Sequence, residues 1–369
     1  MSGLAAEHGA VNLGQGFPDF GWPEDVVAEA AEALIRGSNQ YAPMRGLPEL
    51  RAAVAAHYRA HQGLELDAGW ITVTSGATEA LAAAIAALVT PGDEVLLFQP
   101  LYDAYLPLVL RAGGVPRLVR LEPPGWRITA GALDAAFTGR TRLVIFNNPH
   151  NPTARAFDAG ELALLAERCV RHGAFALTDE VWEHLVYDGR SHVPMASLPG
   201  MAERTVKVGS AGKIFSLTGW KVGWVVAPPE LGEPISKAHQ YLAYATPPNL
   251  QAAVAYGLAK GPDYYEEMRA GFAAARDGLA AALAEAGFTV LPAEGTYFLC
   301  VDLAASGVAA GDTGFCDLAV REAGVAAIPV SAFYDQDAVT NVVRLCFAKK
   351  PETLEAGVER LAAARRLFA

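Results

Sequence analysis

The sequence predicts an α/β fold: a mostly parallel sheet with helices on both faces, joined to a smaller α+β domain. Three observations carry this. From about residue 70 to 239, short β-rich runs alternate with longer Ala- and Leu-rich stretches of helical spacing, the pattern of crossover connections between parallel strands. The β-rich runs are apolar throughout rather than alternating, as strands buried on both faces must be. After Pro262 the order changes to a long Ala-rich helix followed by short strands and helices. The large domain is therefore expected over 25–262, and the small domain with an N-terminal arm over 263–369 and 1–24.

Taken in order, the chain up to about Asp25 is rich in Gly and Pro around Asn12-Leu-Gly-Gln-Gly-Phe-Pro-Asp-Phe20 and reads as an ordered loop. Val26, Val27, Ala30 and Leu34 are spaced for a helix over 24–36, which Gly37 ends. Asn39-Gln-Tyr41-Ala-Pro makes a turn before a helix over 48–61, with Pro48 in its first turn and Gly63 at its close. Strands are predicted at 71–74, 94–98, 143–146, 175–178, 205–208 and 223–226, with helices near 78–89, 103–112, 130–137, 158–171 and 230–239. The remainder reads as a helix over 263–286, strands at 289–291 and 297–301, a helix over 313–323, strands at 325–329 and 341–347, and a closing helix over 351–368. No internal repeat or low-complexity linker interrupts it.

Composition narrows the partners. With 52% hydrophobic and 19% charged residues in 369, the chain reads as globular and long enough for two domains sharing a core. A formal charge of −11 without any basic run argues against nucleic acid or an anionic membrane, which need clustered Lys and Arg, and favours a small-molecule ligand. Cys169, Cys300, Cys316 and Cys346 are far apart and lack histidines at zinc-ligand spacing, so they read as buried thiols in a reducing cytosol, with no metal expected. No apolar run reaches about 18 residues, and the N-terminus lacks a basic stretch followed by an apolar one; no membrane span, no signal peptide and a cytoplasmic location are expected.

In open α/β sheets ligands sit outside the carboxyl ends of the strands, so the residues following each strand matter most. After the first come Ser75-Gly76-Ala77-Thr78, small residues opening a helix whose free N–H groups suit a phosphate, although small residues at helix starts are common. After the second comes Tyr102, which could stack on a flat ligand or simply fill core. The third is followed by Asn147-Asn-Pro-His-Asn151-Pro, a rigid turn whose amides suit a phenolic or carboxylate oxygen or serve the turn alone. The fourth runs into Asp179-Glu180, a carboxylate costly to bury without a partner. The fifth delivers Ser210 and Lys213, one of only seven lysines in the chain. A lysine is ordinarily a solvated surface charge. Here an amine, a buried carboxylate, an aromatic plate and an anion nest converge on one crevice. That set matches pyridoxal phosphate, which needs an amine for a Schiff base, a carboxylate for its ring nitrogen and a cradle for its phosphate. A dinucleotide would require G-x-G-x-x-G after the first strand, and Ser75-Gly-Ala-Thr lacks it.

Asn147-x-Pro-x-Asn151-Pro, Asp179-Glu180-Val181 and Ser210-Ala-Gly-Lys213-x-Phe-x-x-Thr-Gly-Trp-Lys221-x-Gly resemble the class I aminotransferases of PLP fold type I over nearly the whole chain. Gly14-Gln-Gly-Phe-Pro-Asp19, Gln40-Tyr41 and Arg344-Leu-Cys-Phe-Ala-Lys349 look most like the kynurenine, glutamine and methionine branch. The resemblance implies a seven-stranded sheet in the large domain and a homodimer with shared active sites. It implies that Lys213 forms the Schiff base, Asp179 pairs with the pyridinium nitrogen, Asn151 bonds the phenolic oxygen and Tyr102 stacks on the ring. Ser75, Gly76, Ala77, Thr78, Ser210 and Lys221 would surround the phosphate, joined by Tyr41 of the other subunit. Arg344 would grip the substrate carboxylate, helped by Asn147 and Gly16, while Phe17, Trp22, Tyr105 and Tyr244 would line the side-chain pocket. No second arginine is evidently devoted to a side-chain carboxylate, with Arg45 and Arg155 left open.

Three departures stand out. Trp182 occupies the usual tyrosine position after Asp-Glu-Val and can donate an N–H but cannot ionise. Ala154 replaces the usual Gly of the Asn-Pro turn, a change of little weight if φ is negative there. The segment before the Gly-Gln-Gly loop is about a dozen residues, short for an arm that crosses the active site. The implied reaction is ping-pong transamination of a neutral aromatic, thioether or amide amino acid with a 2-oxo acid. In it Lys213, neutral through burial beside Lys221, moves the Cα proton. The alternatives are a C–S β-lyase on the same fold, a non-catalytic PLP-binding regulator, and a structural protein on a borrowed fold.

Overall fold

Thirteen strands are formed among residues 1–368, which the structure, a computed structural model, describes. They are β1 (Val11–Asn12), β2 (Ile71–Ser75), β3 (Glu94–Gln99), β4 (Val115–Arg120), β5 (Thr141–Asn147), β6 (Phe175–Asp179), β7 (Thr205–Ser210), β8 (Val222–Val226), β9 (Thr289–Val290), β10 (Phe298–Asp302), β11 (Val325–Ala326), β12 (Ile328–Pro329) and β13 (Val342–Cys346). Seven form one sheet in the order β2-β8-β7-β6-β5-β3-β4. Six run the same way, and β8 opposes both its neighbours. The reversal has a simple cause: only residues 211–221 separate β7 from β8, fewer than the dozen or so that a parallel crossover needs. The connection that carries Lys213 is therefore a hairpin loop at the rim of the sheet.

Helices cover both faces. Leu96 and Leu97, consecutive in β3, fall in different hydrophobic clusters, because neighbouring strand residues point to opposite faces and both are dry. The helix Gly76–Leu88 packs on one face with seven of its residues buried, and Ala159–His172 packs on the other. The latter starts at a complete capping box, in which Asp158 and Glu161 satisfy each other's backbone N–H groups. The later part of the chain forms a second, antiparallel sheet, β12-β13-β10-β9, against the helices Pro262–Glu285 and Asp312–Ala323, on which the helix Pro351–Arg366 packs in turn. All four cysteines are buried free thiols. No helix among the described residues is long and apolar enough to cross a membrane.

Four local expectations are corrected. Val115-Pro-Arg-Leu-Val-Arg120 is a strand that the sequence pattern does not predict; its two arginines and Pro116 suit a sheet edge, where β4 lies. The helix Pro248–Leu258, opened by prolines, was also passed over, although it buries Ala253 and Val254. The N-terminal segment is not all loop, since Ser2–Glu7 is helical. The single strand expected over 325–329 is two: β11 pairs in parallel with β1, and β12 pairs antiparallel with β13.

Sheet and helix meet closely at Gly223 of β8. A Cβ there would stand 2.7 Å from the carbonyl carbon of Gly76 and 2.8 Å from the nitrogen of Ala77, both backbone atoms that cannot swing aside. Gly223→Ala is expected to lower stability by about 1–3 kcal/mol through overpacking. Urea denaturation measures this, and an unchanged midpoint would show that β8 is free to move away from the helix.

Candidate active site

The carboxyl ends of β2, β3, β5, β6 and β7 open onto one cavity of about 230 Å³. Gly76, Ala77 and Thr78 line it from the first turn of the helix after β2, and Tyr102 from the loop after β3. Asn147 and Asn151 enter from β5 and its turn, Asp179 and Trp182 from the end of β6, and Ser210, Lys213 and Lys221 from the β7–β8 hairpin. Ser75 stands just outside, its N–H donating to Glu79 Oε2 at 2.9 Å.

The charges in the cavity are set by burial. Asp179 is 6% exposed, and burial raises its pKa; the Tyr105 hydroxyl, donating to Oδ2 at 2.7 Å, acts in the opposite direction and favours the carboxylate. Burial and the nearby Asp179 charge push the Tyr105 phenol well above its ordinary range, so it remains a donor. The other oxygen, Oδ1, is buried without any partner. Lys213 sits opposite. Burial lowers its pKa to about 8, with Asp179 opposing the shift and Arg344 and Lys221 reinforcing it. Its Nζ donates to Tyr297 Oη at 3.2 Å and lies 4.7 Å from the centre of the Trp182 ring. Trp182 itself stands edge-on to Tyr297, with ring centres 4.4 Å apart.

Arg344 does not line the cavity itself; it is 7% exposed and lies over Phe298, its guanidinium carbon 4.0 Å from the ring centre. Its Nη1 donates to Asn151 Oδ1 at 2.6 Å and its Nη2 to the Gly14 carbonyl at 3.0 Å, leaving Nε buried without a partner. Asn147 is occupied with backbone, donating to the Asp179 carbonyl at 2.8 Å and accepting from the Asn151 N–H at 2.7 Å. It thereby ties the end of β6 to the turn after β5. Phe17 and Trp22 are partly exposed near the Gly-rich loop, while Tyr41 and Tyr244 pack edge to face at 5.5 Å on the surface.

Two expectations change here. Tyr105, placed by resemblance in the side-chain pocket, is instead buried with its hydroxyl on Asp179. Ala154 has φ of 61°, not a negative value, so the alanine sits in left-handed backbone at a cost of about 1–2 kcal/mol. Hydrogen bonds hold it there: its carbonyl accepts from the N–H groups of Glu294 and Gly295 at 2.8 and 2.9 Å. One residue was missed altogether. Tyr297 donates to the Gly16 carbonyl at 2.6 Å while accepting from Lys213, joining the Gly-rich loop to the amine. The preceding Thr296, β-branched yet at φ 64°, marks the bend that turns Tyr297 inward.

Comparison with known proteins places this geometry. A family model described as aminotransferase class I and II matches residues 9–361. The chain belongs to that family. The probable N-succinyldiaminopimelate aminotransferase of Mycobacterium tuberculosis is 45% identical over 98% of this chain and 94% of its own. The methionine aminotransferase of Escherichia coli is 43% identical over the same shares, and human kynurenine–oxoglutarate transaminase 1 is 37% identical over 97% and 93%. The solved M. tuberculosis enzyme superposes with a TM-score of 0.96 at 46% identity, covering 99% of this chain and 96% of that one. The E. coli methionine aminotransferase gives 0.94 at 43% identity, over 98% and 95%. This aminotransferase therefore has the type I fold and carries out pyridoxal phosphate-dependent transamination. Its cavity fits the cofactor on its own terms: the orphaned Asp179 Oδ1 calls for a ring N–H. Gly76, at φ 71°, keeps open a cradle in which an added Cβ would come within 3.2 Å of Lys221 Nζ.

Removing the Tyr105 hydroxyl takes away a hydrogen bond to a charged group, worth about 1.5–3 kcal/mol. Tyr105→Phe should therefore weaken cofactor binding by about tenfold or more, as read by titrating cofactor-free protein and following fluorescence; equal affinity would remove Tyr105 from this role. A pKa of about 8 means that Lys213 is mostly protonated below that pH and neutral above it. In cofactor-free protein its labelling by an amine reagent should rise through about pH 8 rather than near 10.4, the ordinary lysine value. Tyr297→Phe, which removes an acceptor for the ammonium, should move that midpoint lower. Mass-spectrometric labelling at a series of pH values reads both.

Proposed function

We propose that this aminotransferase acts on neutral L-amino acids with aromatic, thioether or amide side chains, exchanging the amino group with a 2-oxo acid by a ping-pong route. The observation that carries the substrate reading is the fate of the two arginines left open by the sequence. Arg45 donates to the Gly69 carbonyl at 2.9 Å and to Ser236 Oγ at 3.0 Å. Arg155 is half-buried and paired with Glu161 and Glu294. Neither guanidinium lines the cavity, and Phe17 and Trp22, partly exposed near the Gly-rich loop, are the apolar residues that the resemblance assigns to the side-chain pocket. The names of the E. coli and human relatives, methionine and kynurenine enzymes, agree with this. The M. tuberculosis relative is named for N-succinyldiaminopimelate, and its 45% identity favours a second reading in which the substrate is a larger acylated diacid.

In the proposed mechanism Asp179 would accept from the ring nitrogen of pyridoxal phosphate, with the Tyr105 hydroxyl favouring the ionised carboxylate. The N–H groups of Ala77 and Thr78, with Ser210 and Lys221, would hold the phosphate, and Tyr102, Asn151 and Trp182, which line the same cavity, would hold the ring. When bound, the cofactor supplies an aldehyde for the amino group and a ring that takes up electrons. Arg344 turns from Asn151 to bind the α-carboxylate, which its planar fork matches. Lys213, as the neutral amine, takes the Cα proton on Nζ and returns it one position away, with Tyr297 Oη keeping the amine in place.

The enzyme is proposed to work in the cytoplasm as a homodimer with a large domain over 25–262 and a small domain formed by 1–24 and 263–369. Tyr41 and Tyr241 are each 86% exposed and Ile35 is 79% exposed, an apolar surface of the kind that a second subunit covers. Through it, Tyr41 and Tyr244 would reach the neighbouring active site.

A donor screen decides between the substrate readings. Methionine, glutamine, phenylalanine, kynurenine and N-succinyldiaminopimelate are offered with several 2-oxo acids, and the cofactor's spectral change is followed. The expected result is faster conversion of the neutral donors, with none in Lys213→Ala; preference for the acylated diacid would overturn the substrate reading while leaving transamination intact.

A further inference from the structure

Behind the strand end that carries Asp179 lies a second cluster of ligand-forming side chains with no part in the reaction above. The helix Pro48–Gln62 presents His57, His61 one turn later, and Gln62, while the turn after β6 supplies Glu183 and His184. The Nε2 atoms of His57 and His184 are 2.8 Å apart, and a carboxylate oxygen of Glu183 lies within 4.8 Å of an imidazole nitrogen of each. All three residues are buried. Glu183 Oε2 accepts from Gln62 Nε2 at 2.6 Å and from Lys207 Nζ at 2.7 Å, but Glu183 Oε1 and Gln62 Oε1 are buried without partners.

We propose that His57, His184 and Glu183 form a binding site for a divalent transition cation of the zinc or cobalt class. Two imidazoles and a carboxylate are a donor set that these ions take, with a fourth position left for water. Both rings are buried, and two Nε2 atoms 2.8 Å apart can share only one proton between them, so at least one lone pair already faces the other ring. His57 also has an outer partner. Its Nδ1 is 3.4 Å from Tyr265 Oη, an acceptor for the second N–H of a metal-bound ring.

Without a cation the close imidazole pair is a hydrogen bond, one Nε2–H donating to the other nitrogen. Bonds of about 2.0–2.1 Å in tetrahedral geometry place two ligand nitrogens about 3.3 Å apart, so binding opens the pair by about half an ångström. The shared proton moves to Nδ1 of the same ring, and no net proton is lost. Glu180, Glu183 and Lys207 together carry one formal negative charge, which offsets part of the incoming charge. A cleft of about 480 Å³, lined in part by His61, Gln62, Glu183, His184 and His192, gives the ion and its water a path from solvent.

The test uses cofactor-loaded enzyme freed of metal by chelation. Cobalt(II) is titrated while its visible absorption is followed, and zinc binding is measured by calorimetry. One saturable site per chain with a four-coordinate cobalt spectrum is expected, weakened about tenfold or more in His184→Phe and in Glu183→Gln. Cofactor absorbance and cooperative unfolding verify that each variant is folded, and His57→Phe substitutes for either that is not. Absence of saturable binding in the unaltered enzyme overturns the proposal. So does equal affinity in the folded variants, which would assign the ion to exposed side chains such as His8.

Discussion

A carboxylate buried at the end of a central strand is the constraint around which this site is arranged. Asp179 lies in the middle of a dry sheet, where an unpaired charge is prohibitively costly. One of its oxygens is satisfied by Tyr105 and the other by nothing in the chain. That imbalance leaves one acceptor facing the cavity, and the ring N–H of a flat heterocycle completes it. Lys213 faces the same low-dielectric space, and its amine is drawn toward neutrality for the same reason that Asp179 is drawn toward protonation. The Tyr105 hydroxyl resists that drift at Asp179, whereas Arg344 and Lys221 reinforce it at Lys213.

The surrounding polar contacts keep these two groups at fixed positions. Asn147 fastens the Asp179 end of β6 to the neighbouring turn, and Tyr297 fastens the lysine amine to the Gly-rich loop. Each side chain is held by two hydrogen bonds, Asn147 to the Asp179 carbonyl and the Asn151 N–H and Tyr297 to the Gly16 carbonyl and Lys213, so little side-chain freedom remains to blur the geometry. Arg344 stacks on Phe298 and bonds Asn151 and Gly14, so a buried guanidinium is held beside the same asparagine that lines the cavity.

The groups at the strand ends were legible because each follows its β run directly in sequence, so the sheet alone brings Thr78, Tyr102, Asn147, Asp179 and Lys213 together. What could not be read depends on contacts between distant positions. Tyr105 meets Asp179 across 74 positions, and Tyr297 meets Gly16 across 281, hidden inside an apolar run that reads simply as strand. β4 was missed because an edge strand carries charges and a proline that a central strand would not tolerate. The sign of φ at Ala154 was misjudged because a Cβ says nothing of the hydrogen bonds from Glu294 and Gly295 that hold the turn open.

The reversal of β8 bears on which lengths this chain can have. Most loops of an α/β sheet lie on the surface and absorb insertions, because the crossover they belong to can bulge outward. Residues 211–221 instead join two hydrogen-bonded neighbours, so their span is set by the spacing between adjacent strands. Adding or deleting one residue there would slip β8 by one register position and send Trp224, which bonds Tyr58 on one face, to the other face. Natural variation in loop length can therefore accumulate around the rest of the rim, while the segment bearing the lysine must keep its number of residues.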